Sequence, residues 1–129
     1  FLPQWSIVVY ERLLLPVLER LKTAYLLWYG YYQKLPRVHR YTLGERIDFL
    51  FVELIEAIAC ASFSLKSEKT PYLRLAIRKL DALKILLLVL WETKSLDTNK
   101  YGALSLPLEE IGKMLGGWLR GIETKTPAR

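Results

Sequence analysis

Ile85-Leu86-Leu87-Leu88-Val89-Leu90-Trp91 is an unbroken run of seven apolar residues. It lies inside a stretch, Pro71 to about Leu96, that otherwise keeps helical patterning. At about 100° per residue its side chains point in every direction around the helix axis. A helix of this kind needs neighbours on more than one side, which a bundle supplies and a lone hairpin does not. A four-helix bundle still leaves part of each helix uncovered. Exposing two or three of these side chains forgoes about 1.5–3 kcal/mol each. The run therefore predicts a homo-oligomer, with Leu87, Leu88 and Trp91 at the interface between copies.

Three further helices follow from the same periodicity. The first spans about 16–34, with Leu18, Leu21, Tyr25, Trp28, Tyr29 and Tyr32 at three-and-four spacing, and Leu35-Pro36 ends it. Pro16 suits a first helical turn, and Ser6 offers an alternative, earlier cap with a kink at the proline. The second spans 43–65. Thr42-Leu43-Gly44-Glu45 has the form of a capping box, and Ile47, Leu50, Phe51, Leu54, Ile55, Ile58 and Ala59 make a broad apolar face. The third, 71–96, opens with Thr70 as cap and Pro71 at the first position. Asp97-Thr98-Asn99 then breaks the pattern, and a loop is expected through Tyr101-Gly102. The fourth spans 106–122, with Glu109 and Glu110 in its first turn where the helix dipole favours carboxylates, and 123–129 reads as a polar tail. Ser6 to Tyr10 is the one short strand candidate. The expected fold is an all-α, up-and-down antiparallel four-helix bundle in one domain of 129 residues.

The fourth helix carries Gly112, Gly116, Gly117 and Gly121. A glycine inside a helix costs about 1 kcal/mol relative to alanine, and close approach of a second helix is the usual compensation. Gly112, Gly116 and Gly117 share a ridge and join the expected oligomer interface.

The formal charge is +6, and it is unevenly distributed. Residues 34–46 hold four cations against one carboxylate, and residues 66–84 hold six against two. Arg37, Arg40, Arg46, Arg74, Arg78, Lys79 and Lys84 are the candidate contacts to nucleic acid or another acidic partner, as arginine forks and lysine point charges on phosphate. In an up-and-down bundle these zones begin at different ends and meet along the sides or across subunits.

Chemistry that needs a constellation finds none. One His and one Cys exclude Ser/His/Asp and Cys/His arrangements. His39 lies in a polar loop, and Cys60, between two alanines, reads as core. Glu53 and Glu56 lack the further glutamates and Glu-x-x-His pairs of a carboxylate metal site and read as partners for arginines. No cofactor, metal site or enzyme activity is expected. Tyr25, Trp28, Tyr29 and Tyr32 can stack bases, but their spacing favours a core. Asp48, Glu53 and Glu56 each cost about 2.5–3.5 kcal/mol in a bilayer centre, so Ile47 to Leu65 is not expected to span a membrane. Glu11 and Arg12 argue against a secretory signal, and the single cysteine fits a reducing cytoplasm.

Leu35-Pro36-Arg37-Val38-His39-Arg40-Tyr41-Thr42-Leu43-Gly44-Glu45-Arg46-Ile47 and Glu110-Ile111-Gly112-Lys113-Met114-Leu115-Gly116-Gly117-Trp118-Leu119 resemble the accessory variability determinant of bacterial diversity-generating retroelements. The resemblance extends from about Tyr10 to Ile122. The first segment is shared with four-helix bundle proteins of ribosomal-RNA intervening sequences, which leaves a structural protein without a polymerase partner as the alternative. The second, with its Gly-Gly-Trp, points to the retroelement branch. Leu35 stands where the family often has Phe, and Pro16 is not expected within the first helix. The resemblance implies a barrel-like homopentamer of bundles that binds RNA and DNA, associates with the retroelement reverse transcriptase and takes part in mutagenic retrohoming.

Overall fold

The computed structural model describes residues 15–125. The Ser6 to Tyr10 strand candidate, the Ser6 cap and the last residues of the tail lie outside them. Four long helices make the fold: α1, Leu15–Tyr32; α2, Leu43–Phe63; α3, Lys69–Glu92; and α4, Thr98–Lys125. No strand occurs among the described residues.

Cross-helix pairs fix the topology. Tyr25 meets Phe51, and Trp28 donates to Asp48, so α2 runs back along α1. Arg74 pairs with Glu123, and Lys84 with Glu109, which sets α4 antiparallel to α3. Arg20 pairs with Glu110, closing the ring between α4 and α1. The contact between α2 and α3 is the most extensive of the four, and that between α1 and α2 the least. Leu21, Trp28, Ile47, Phe51, Leu54, Leu73, Leu80, Leu83, Leu87, Leu108, Ile111 and Leu115 fill the core at 0–1 % exposure.

Several element boundaries differ from expectation, each for a local reason. α1 ends at Tyr32, two residues early, because the Lys34 and Leu35 amides tighten onto Tyr31 and Tyr32. A single helical turn, Arg37–Arg40, then follows Pro36, whose carbonyl accepts from the His39 and Arg40 amides at 3.0 Å each. That turn displaces the capping box. The Thr42 hydroxyl donates to the Val38 carbonyl at 3.1 Å, and no side chain caps α2.

At the other end of α2 a 3-10 turn, Lys66–Glu68, feeds straight into α3, so the helix begins at Lys69 rather than after a Thr70 cap. Pro71 stays in the first turn, where its missing amide leaves nothing unpaired. Lys69 reaches back to donate to the Ala61 and Ser62 carbonyls at 2.7 and 3.1 Å, a cation on the C-terminal carbonyls of α2.

α3 stops at Glu92, not Leu96. Lys94 adopts φ 66°, and the Ser95 and Leu96 amides both turn back to the Leu90 carbonyl. Leu96, 2 % exposed, plugs the end of the core. The largest correction is α4, which begins at Thr98. Asp97 is not a breaker: its Oδ1 accepts from the Lys100 amide at 2.8 Å, an N-cap bond, and Tyr101 and Gly102 are helical. Pro107 therefore lies inside the helix, and Glu109 and Glu110 sit mid-helix, facing cations of α3 and α1.

Candidate nucleic-acid interface

The turn between α1 and α2 presents Arg37 outward, exposed and without an ion pair or hydrogen bond among the described residues. Arg40, on the same turn, is spent locally: its guanidinium donates twice to the Leu35 carbonyl, at 3.3 and 2.9 Å. Arg46 and Lys79 converge from α2 and α3 on one carboxylate. Lys79 lies 3.4 Å from one Glu53 oxygen and Arg46 3.8 Å from the other, and Arg46 also covers the Phe49 ring. The Glu53 oxygen facing Arg46 is buried without a hydrogen bond.

The cations of α3 divide. Arg74 and Lys84 are tied to Glu123 and Glu109 of α4, whereas Arg78 is exposed and unpaired among the described residues. Exposed ion pairs contribute at most about 1 kcal/mol, so phosphate can compete for these cations. The seven candidates thus form no single patch. Arg46 and Lys79 come together, Arg74, Arg78 and Lys84 follow α3, and Arg37 and Arg40 stand at the loop end. Lys69, one of the six cations of residues 66–84, is not among the seven. Burial holds its ammonium below the ordinary lysine range, and Trp118 lies 6.0 Å beneath it.

The expected interface residues divide. Leu87 is 1 % exposed and belongs to the core of its own chain, because α3 has a neighbour on each side. Leu88 and Trp91 are half-buried, and within the apolar run Ile85 is the exposed member. A Cβ on Gly112 would stand 3.4 Å from Leu80 Cδ2 and 3.8 Å from Lys84 Nζ, so its close approach is to α3 of the same chain. Gly116 and Gly117 lie beside the Arg120 guanidinium of their own helix. An apolar surface that the spacing of residues does not mark is the outer side of α2, where Phe49, Val52 and Phe63 share one stripe and are exposed. Cys60, expected in the core, is exposed on that helix.

Trp28 is fully buried and stacks on Tyr32 at 5.3 Å, so this part of the aromatic series is core. Tyr29 is half exposed. Burial, then a hydrogen bond to Asp48 and its charge, pushes the Tyr25 hydroxyl up to about 12. Burial and the Asp48 and Glu45 carboxylates raise Tyr32 in the same direction. His39 Nδ1 meets the Ser95 hydroxyl, which joins the α1–α2 and α3–α4 connections at one end of the bundle. Among the described residues no three His, Cys, Asp or Glu side chains gather as metal ligands, and no helix is long and apolar enough to cross a membrane.

No curated protein and no solved structure matches the chain. A family model, described as bAvd-like, matches residues 17–122, a span that takes in nearly all of the four helices and both segments that carry the resemblance. The chain belongs to the bAvd-like family and is an accessory protein of the accessory-variability-determinant type.

Proposed function

We propose that this protein is the non-catalytic accessory component of a diversity-generating retroelement. It binds RNA and DNA through its basic surface and associates with the retroelement reverse transcriptase during mutagenic retrohoming. One bundle domain forms each subunit, and five subunits assemble into a homopentamer. The observation that carries this reading is the family match over residues 17–122. The net charge of +6 supports it, as do Arg37 and Arg78, exposed and unpaired where a polyanion can reach them. Exposed Phe49, Phe63 and Ile85 give copies of the chain apolar surface to bury.

The test pairs Arg37→Ala with Arg78→Ala. The double variant keeps the oligomer mass by light scattering and binds RNA and DNA more weakly at low salt. Its affinity also falls less steeply with salt, the log–log slope being shallower by about 0.9 for each duplex phosphate it no longer neutralises. Unaltered affinity at low salt overturns the assignment of the basic surface. Failure of the native protein to co-purify with its cognate reverse transcriptase overturns the partner.

A further inference from the structure

A cavity of about 680 Å³ opens where α3 ends and α4 begins, lined by Trp91, Glu92, Lys94, Leu96, Asp97 and Thr98. Its size lies within the range of small-ligand sites. The aromatic wall is fixed in advance. Tyr101 stacks on the Trp91 indole at 5.1 Å and 13°, and the indole N–H donates to Thr98 Oγ1 at 3.1 Å. Both contacts come from the first turn of α4, so the ring plane is set by the same segment that Asp97 caps.

Charge around the cavity is ordered. Lys94 lies in the wall, and Lys100 stands one turn on, 5.4 Å over the Tyr31 ring. The His39–Ser95 contact brings the Arg37–Arg40 turn against the same connection, which adds the unpaired Arg37. Two carboxylates also line the site. Asp97 is occupied by the Lys100 amide, whereas Glu92 has no partner among the described residues. A flat aromatic wall, one available acceptor and a cationic surround fit a planar group with amino hydrogens and a negative charge outside the cavity.

We propose that this cavity takes one unpaired nucleobase of a single strand, an amino-bearing base (cytosine, adenine or guanine), stacked on Trp91 with its exocyclic amine donating to Glu92. Lys94 and Arg37 meet the flanking phosphates. The proposal rests on the nucleic-acid reading above and narrows it to a site and a strand type. A duplex keeps its bases stacked inside and cannot use the cavity. Uracil and thymine present a carbonyl oxygen where cytosine presents its amine, and Glu92 repels it.

The experiment is fluorescence anisotropy on the full chain with labelled oligocytidylate, labelled oligouridylate of equal length and a blunt duplex. The cytidylate strand binds more tightly than the uridylate strand. Trp91→Leu weakens strand binding by about tenfold, the scale of a single base stack, and leaves duplex binding unchanged. Trp91→Phe, which keeps a ring against Tyr101, restores most of the affinity, and Glu92→Gln erases the cytidine preference. Strand and duplex binding that both ignore Trp91→Leu overturn the cavity and leave the nucleic-acid reading standing. No binding of either by the native protein removes both. A labelled arginine-rich peptide, added without nucleic acid, is not expected to bind; a peptide that binds, and no longer does so in Glu92→Gln, overturns the base site and reassigns the cavity to a protein cation.

Discussion

Gly44 lies so close to Leu35 that a Cβ on it would stand 2.9 Å from Leu35 Cδ1, with the His39 carbonyl oxygen only 3.0 Å away. Leu35 is buried beneath the turn, and a backbone oxygen cannot step aside. Gly44→Ala is therefore expected to destabilise the protein by about 1–3 kcal/mol, overriding the helix propensity it gains. Gly30→Ala is the control. Nothing lies within 4 Å of the added carbon, and the exposed helical position gains about 0.5–1 kcal/mol. Urea unfolding of the two variants should move in opposite directions.

Pro107 withholds an amide from the interior of α4. Pro107→Ala restores a hydrogen bond to the Ala103 carbonyl and is expected to stabilise by about 1–3 kcal/mol. A lower denaturant midpoint would mean that the ring itself makes contacts worth more than the bond, since Pro107 lines the groove with Glu19, Arg20 and Thr23.

Tyr25 makes stability depend on alkaline pH. Its hydroxyl rises from 10.0 in the free chain to about 12 in the fold. Between those values the unfolded state has released a proton that the native state still holds, so stability is full below pH 10 and falls as pH climbs through the window. Tyr32 adds to the fall, and Lys69, whose folded value is lowered, opposes it. Tyr25→Phe should flatten the decline measured by chemical unfolding at stepped pH. An unchanged slope would assign it to Tyr32.

On the outer side of α2, Phe49 and Phe63 are exposed by 54 and 57 %. If copies associate there, Phe49→Glu with Phe63→Glu lowers the mass seen by light scattering while far-ultraviolet dichroism keeps its helical amplitude. The native mass in the double variant would turn attention to Ile85 and Leu106.

The parts of the fold that the sequence disclosed are those with regular spacing. Leu21 and Trp28 on α1, and Ile47, Leu50, Phe51, Leu54 and Ile58 on α2, fall in the core because a period of 3.6 leaves little choice. Asp97 misleads because one residue type serves both breaker and cap, and only its bond to the Lys100 amide distinguishes them. Gly102 and Pro107 then reinforce the wrong start for α4. Charge is harder still. Whether a cation is available depends on carboxylates far along the chain, as with Arg74 and Glu123 or Lys84 and Glu109, and local patterning carries no trace of them. Leu87 and Gly112 point to a second copy because nothing in the sequence says that Leu87 is buried in its own core or that Gly112 faces Leu80 of α3.

The antiparallel course of α1 and α4, recorded in the Arg20–Glu110 pair, sends residues 15 and 125 out of the bundle at the same pole. The Trp91 cavity and the Arg37 turn occupy the opposite pole. A fluorophore on the exposed Cys60 thiol, near the end of α2 at the first pole, thus stands most of a helix length away from them and leaves the opposite pole open to solution.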